Sequence, residues 1–269
     1  MDKINKRFII QVILSIKDDT MRWPRSLAQF SIGKGAMSLP CLLCDEPQNN
    51  HHHICDTCWH DSLQFSLCHS PIELTQHPHA LATMELKAID GLCVPFIYQW
   101  PLSHLITAYK YQDKTAVRGA LSAFAQQGLQ QWQLAGGVGG NGEELSIDFN
   151  KAPDVWTLVP NHAWRWLKRG FNHLDYLQTM ALNISNIKDV SGGITRTKHT
   201  HSQAKLTAHK RRKNLASAFQ VNVDLTGQHI LLLDDVVTTG ATLSSLAQTC
   251  KQAGAVKVSA FCLAWARLD

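Results

Sequence analysis

The stretch 230–243, ILLLDDVVTTGATL, constrains this chain more than any other. Ile230, Leu231, Leu232 and Leu233 predict a short buried strand, and Asp234 and Asp235 follow it directly. A buried carboxylate is costly unless it is paired or coordinated, so two in succession after an apolar strand call for a cation, a set of donors or a ligand. In open α/β sheets ligands bind beyond the carboxyl ends of the strands, and the acid pair and the residues after it fall there. Gly240 lets the chain turn so that successive N–H groups face one concavity, and the helix predicted after Thr239 adds the positive end of its dipole. With the hydroxyls of Thr238, Thr239 and Thr242 and the backbone of Ala241, this is a cradle for one phosphate that needs no lysine. Asp234 and Asp235 suit either the vicinal hydroxyls of a sugar or a hard cation such as Mg²⁺.

The rest of the C-terminal half supplies the sheet. Residues 102–109, 117–134 and 165–182 have helical spacing, 155–159 is a buried strand, and 257–263 is a closing strand. Strands alternating with helices predict a parallel α/β sheet. Residues 135–144, AGGVGGNGEE, form a linker. They are not a dinucleotide fingerprint, because no strand leads in and no helical pattern follows.

Residues 37–79 are different in kind: rich in Cys, His, Asn and Pro, with few apolar runs. Six of the chain's eight cysteines lie between Cys41 and Cys93. A 30.0 kDa chain with 45% apolar residues can bury a core without disulfide staples. Cys41-Leu-Leu-Cys44 and Cys55-Asp-Thr-Cys58 form two C-x2-C knuckles ten residues apart, the spacing of a closed four-thiolate Zn²⁺ site. Such a site has no open position for water, so the predicted role is structural, with zinc replacing the missing core. Four thiolates already saturate the ion, so His51, His52 and His53 are expected in a solvated loop. Cys68 and Cys93, without a C-x2-C partner, are expected to be small buried hydrophobes.

Residues 8–16, FIIQVILSI, follow Lys3, Lys6 and Arg7 but lead into Lys17, Asp18 and Asp19 with no small-residue cleavage site. They are also far shorter than the roughly 20 residues of a membrane span. The expectation is a cytoplasmic protein with no membrane span and an N-terminal extension, 1–36, that is dispensable. Its first residues are either an amphipathic helix or the product of a start codon upstream of the true one. A zinc-binding module, 37–92, and an α/β domain, 93–269, follow.

The run Asp234-Asp235-Val236-Val237-Thr238-Thr239-Gly240-Ala241-Thr242 resembles the phosphoribosyl-diphosphate (PRPP) signature of type I phosphoribosyltransferases. With the four cysteines ahead of it, the layout over about residues 37–269 resembles the ComF/GntX family, which joins a zinc finger to such a domain and is associated with DNA uptake and competence. The resemblance implies a type I phosphoribosyltransferase-like parallel sheet with flanking helices. It implies ribose contacts from Asp234 and Asp235, and 5′-phosphate contacts from Thr238 to Thr242. Val159-Pro160-Asn161 resembles the family's diphosphate loop, with one usual proline absent. Lys168-Arg169-Gly170-Phe171-Asn172 resembles its arginine-glycine-phenylalanine-asparagine motif, which makes Arg169 a catalytic candidate. Gln203 and Arg211 fall in its basic segment, in the place of the mobile catalytic loop, and Lys110 falls where the family usually carries a lysine. The implied ligands are PRPP with Mg²⁺, and the implied activity is transfer or sensing of the 5-phosphoribosyl group; whether the protein is an enzyme stays open, as does the acceptor.

The formal charge of +5 is too small to mark a dedicated nucleic-acid binder. It is concentrated, however, in seven cations between Arg196 and Lys213 with no acid among them. Such a run reads as a lid over a diphosphate or as a solvated or nucleic-acid-facing patch. Trp164 and Trp166 among Arg165, Lys168 and Arg169 would also make a stacking platform for single-stranded DNA. The alternative function is thus a non-catalytic adaptor of the DNA-uptake machinery that retains a phosphate cradle.

Overall fold

The apolar run 230–233 becomes part of the central strand of the sheet. In a computed structural model that describes residues 39–64, 74–75, 77–112, 115–134, 153–161, 171–182, 187–197 and 218–267, β9 (His229–Val237) lies between β10 (Lys257–Trp265) and β5 (Val155–Leu158). The order is β3 (Gly91–Cys93), β10, β9, β5, β6 (Lys188–Asp189), with β4 (Phe96–Ile97) also on β10, and every pairing is parallel. A parallel sheet is covered on both faces, so its central strands are apolar throughout rather than alternating. Leu231, Leu232 and Leu233 accordingly have no exposed surface.

The sheet corrects two sequence expectations. The strand does not stop at Leu233: β10 stays in register from Lys257↔His229 to Trp265↔Val237, so the ladder carries Asp234 and Asp235 inside the strand. Nor is 165–182 one helix. The described helix there is Asp175–Leu182, preceded by a turn in which the Asn172 side chain accepts the Leu174 N–H at 3.2 Å and its carbonyl accepts the Asp175 N–H at 3.0 Å. Asn competes for backbone donors in this way and favours helix starts over helix interiors.

Helices α3 (Leu102–Gln112), α4 (Thr115–Leu134) and α5 (Asp175–Leu182) pack together, while α6 (Ala241–Gln252) packs on β8 (Phe219–Val221), β9 and β10. Asp175 fastens the first group: it accepts the Tyr109 hydroxyl and pairs with Arg118 Nε at 3.1 Å. β5 leads through α5 outward to β6, whereas β9 leads through α6 the other way to β10. Parallel crossovers are right-handed, so connections that diverge put α5 and α6 on opposite faces. A crevice therefore opens between the carboxyl ends of β5 and β9, the usual place of a ligand in such a sheet.

Ahead of the sheet, β1 (Leu39–Pro40) and β2 (Pro47–Gln48) form a small antiparallel hairpin, followed by α1 (Asp56–Gln64) and α2 (Pro78–Thr83). Trp59 of α1 joins this part to the sheet's helices, its ring 4.7 Å from Phe124 of α4, with His52 stacked on it at 4.6 Å. Residues Ser38–Asp269 make one compact unit. β7 (Ile194–Arg196) pairs antiparallel with β8, so the basic stretch 198–213 connects these two strands. Among the described residues no helix is long and apolar enough to cross a membrane. The extension 1–36, the linker 135–144, the Trp164 and Trp166 platform, Cys68 and the bulk of the basic stretch lie outside the described residues.

Candidate functional site

Strand geometry separates the two carboxylates, since successive side chains on a strand point to opposite faces. Asp235, 5% exposed, lies toward α3 and α5. Its Oδ2 is 2.6 Å from Lys110 Nζ and 3.6 Å from His173 Nε2. The Lys110 contact is an ion pair without an aligned hydrogen bond. His173, itself buried, lies with Nδ1 3.3 Å from the Asn161 carboxamide nitrogen. Tyr176, in the first turn of α5, buries its hydroxyl with no hydrogen-bond partner among the described residues. Burial foremost, then the charges of Asp235 and Asp234, push that phenol well above its ordinary range.

Asp234 is the more open of the two. Its carboxyl accepts the Asp235 N–H at 2.9 Å. Burial, and after it the neighbouring Asp235, push its pKa up to about 7, against the pull of the Asp235 N–H, Lys110 and Arg196. A carboxyl held there is poised to give up its proton when a cation or donor arrives.

The loop after β9 is shaped by its neighbours. Glu85 N–H donates to the Thr239 carbonyl at 2.7 Å, and Gly240 takes φ 70 at the start of α6. That left-handed conformation costs Gly nothing and strains other residues. A Cβ at Gly240 would also come within 2.7 Å of Leu86 Cδ2 and 3.1 Å of the Glu85 carbonyl oxygen. Ala241 N–H reaches Thr239 Oγ1 at 3.4 Å, and Thr238 is exposed. Ala241 and Thr242 occupy the first turn of α6, whose N–H groups have no partner within the helix.

Of the residues singled out in the sequence, Asp234, Asp235, Thr238, Thr239, Gly240, Ala241 and Thr242 thus lie along β9 and into α6. Pro160 and Asn161 follow the adjacent strand β5, and Lys110 reaches in from α3. Arg169, Gln203 and Arg211 lie outside the described residues. Three residues were not anticipated: His173, Tyr176 and, as an acid-facing group, Arg196, whose guanidinium lies over Phe219 at 5.4 Å and helps keep Asp234 ionised. His173 lies in the turn before α5 and Tyr176 in its first turn, so no helical spacing in the sequence pairs them.

The four cysteines converge. The sulfurs of Cys41, Cys44, Cys55 and Cys58 all lie within 4.8 Å of one another. Cys41 and Cys44 lie in the turn between β1 and β2, closed by the Asp45 N–H on the Cys41 carbonyl at 3.0 Å, with Asp45 at the left-handed φ 62. Cys55 and Cys58 sit at the N-terminus of α1, whose dipole favours thiolates. Backbone N–H groups of Cys55 and Leu43 point at Cys41 Sγ at 3.3 and 3.4 Å, and that of Cys58 points at Cys55 Sγ at 3.5 Å. The Cys58 thiol foremost, against the opposing effect of burial, draws the Cys41 pKa down to about 4; burial raises Cys44 to about 11, and Cys41 pushes Cys58 up. Four sulfurs this close cannot all be thiolates without a cation among them, and the donor set fits a soft tetrahedral ion such as zinc.

No protein-family model matches the chain. A DNA utilization protein YhgH from Salmonella typhimurium is 30% identical over 229 residues, 83% of this chain and 95% of the relative. The competence protein F of Haemophilus influenzae is 27% identical over 178 residues, 65% of this chain and 72% of its own. A purine phosphoribosyltransferase from Pyrococcus horikoshii Ot3 superposes on 66% of this chain and 79% of its own with 16% identity, but at a TM-score of 0.30 the likeness bears no weight. Identity of this order across nearly the whole length of the relative decides the matter: the chain belongs to the family of DNA utilization protein YhgH and competence protein F, the ComF/GntX family.

Proposed function

We propose that this protein binds PRPP in the crevice between β5 and β9 and acts in DNA utilization, as its relatives' names state of them. One observation carries the ligand reading: an acid pair in the central strand, at the mouth of a diverging α/β crevice, runs straight into a Gly240-capped helix start. In this reading the 5′-phosphate lies on the N–H groups and hydroxyls of residues 238–242. Asp234 faces the ribose hydroxyls, and Pro160 and Asn161 border the diphosphate. Arg169, Gln203 and Arg211 are the cations and donors assigned to the leaving group. Loss of diphosphate from the anomeric carbon builds positive charge on the sugar and negative charge on the leaving oxygens, and fixed ionic groups on both sides favour it. Mg²⁺ arriving with the ligand would offset the diphosphate charge, and Asp234 is the open hard-oxygen donor for it. The four-cysteine cluster holds Zn²⁺ as a structural ion.

The test is calorimetry of the full chain with PRPP and Mg²⁺, repeated with a single-stranded oligonucleotide. The expected result is saturable PRPP binding that requires Mg²⁺ and disappears in Asp234→Asn. Oligonucleotide binding untouched by Asp234→Asn, with no PRPP heat in the wild type, would instead favour the adaptor. For the metal, about one equivalent of zinc in the purified protein and its loss in Cys55→Ser are expected; less than about half an equivalent refutes the site.

A further inference from the structure

His173 has no role in the site as read so far, yet it touches both sides of the crevice. Its Nδ1 is 3.3 Å from Asn161 Nδ2 just after β5, and its Nε2 is 3.6 Å from Asp235 Oδ2 in β9. With the Asn161 amide donating to Nδ1, the imidazole proton is on Nε2, 3.6 Å from Asp235 Oδ2, an electrostatic contact longer than a hydrogen bond. Asp235 in turn holds Lys110 Nζ at 2.6 Å. Four side chains from four separate places, α3, the residues after β5, the turn before α5, and β9, thereby form one line: Asn161, His173, Asp235, Lys110. Both His173 and Asp235 are buried, at 6% and 5% exposure. Loss of His173 would leave the buried Asp235 with one polar neighbour fewer and no water to replace it.

We propose that His173 is a positioning residue of the ligand site. It ties the Asn161 loop to Asp235, keeps Asp235 as the internal counter-ion of Lys110, and so leaves Asp234 as the carboxylate that meets the ligand. The division of labour between the two acids follows from the strand. Asp235 already contacts Lys110 and lies near His173 on the α3 and α5 face, and Asp234 lies on the other face, within the field of Lys110 and, after it, of Arg196. The proposal rests on the PRPP reading for the identity of the ligand, and on the geometry alone for the link between Asn161 and Asp235.

Two measurements separate those dependences. The first needs no ligand: the side-chain amide resonances of Asn161, and the ring nitrogens of His173 in ¹⁵N-histidine-labelled protein. His173→Ala is expected to move the Asn161 amide, His173→Gln to restore most of the shift, and Asn161→Ala to move the His173 Nδ1 resonance. Asn161 is only partly buried, so its variant keeps the test open if His173→Ala does not fold. An Asn161 amide indifferent to His173, or, where that variant does not fold, a His173 ring indifferent to Asn161→Ala, overturns the link. The second measurement is PRPP affinity. His173→Ala and Asn161→Ala should each weaken it about tenfold, the double variant no further, and His173→Gln should recover most of the loss. Losses that multiply in the double variant overturn the coupling. If the wild type binds no PRPP, the ligand reading is what has failed, and the resonances still decide whether His173 engages Asn161.

Discussion

At the scale of single residues, two titrating groups of β9 pull stability in opposite directions over the same pH range. Asp234 has its pKa raised from 3.8 to about 7, chiefly by burial. The folded state therefore holds that proton more tightly than the unfolded chain, and the group's contribution falls as pH rises from about 4 to 7. His229, at the start of the strand with Nε2 2.9 Å from the buried Ser259 hydroxyl, has its pKa lowered from 6.5 to about 4, again chiefly by burial and next by Lys257. Its contribution is complete above pH 6.5 and is lost as pH falls toward 4. Thermal melts between pH 4 and 7 should consequently be flatter for the wild type than for either variant. Asp234→Asn should gain stability as pH rises, and His229→Gln should lose it. At pH 8 Asp234→Asn should melt higher than wild type, by about 2–4 °C for each kcal/mol of buried charge removed, while no longer binding PRPP. Asp234→Asn melting below the wild type at pH 8 would contradict the burial-driven shift. Ligand affinity follows the same carboxyl: it should rise as pH is raised toward 7 and level off above.

At the scale of elements, the loop from Thr238 to Gly240 depends on a residue that no side chain can replace. Gly240→Ala puts a Cβ into Leu86 and the Glu85 carbonyl at a φ of 70, and should cost about 1–3 kcal/mol of stability and most of the phosphate affinity. Thr238→Ala, at an exposed position, should leave the melt unchanged and weaken binding modestly. This element was legible in the sequence because its signals are local: an apolar run, two acids, a Gly at a helix start. What was not legible depended on partners far along the chain. β9 runs on to Val237 only because β10 continues beside it to Trp265. β3 and β4 are three and two residues long, too short to show a period, and exist as strands because β10 offers its edge. His173 could not be read as part of a site from its neighbours, since its significance lies in Asn161 and Asp235, 12 and 62 positions away.

At the scale of the whole molecule, the question is whether the cysteine cluster is a separate bead or part of the same cooperative body. The C-x2-C spacing announced the cluster but not its docking, which rests on Trp59 against Phe124 and His52 against Trp59. Phe124 is itself in edge contact with Phe96 of β4 at 5.5 Å, so the path from the cluster reaches the sheet in two ring contacts. α4 also carries Arg118, which pairs with Asp175, and Asp175 accepts the hydroxyl of Tyr109 from the helix that bears Lys110. A chelator, or Cys55→Ser, should therefore lower the melting temperature of the entire Ser38–Asp269 unit in one transition and not release a small early one. Trp59→Ala should uncouple the two, producing a separate low-temperature transition that chelation moves, while the main transition becomes insensitive to chelator. Calorimetric scans of the wild type and these two variants, with and without chelator, read this directly. A wild-type scan that already shows two independent transitions would mean that the aromatic contact does not transmit the loss of the metal, and that the cluster stabilises only its own residues.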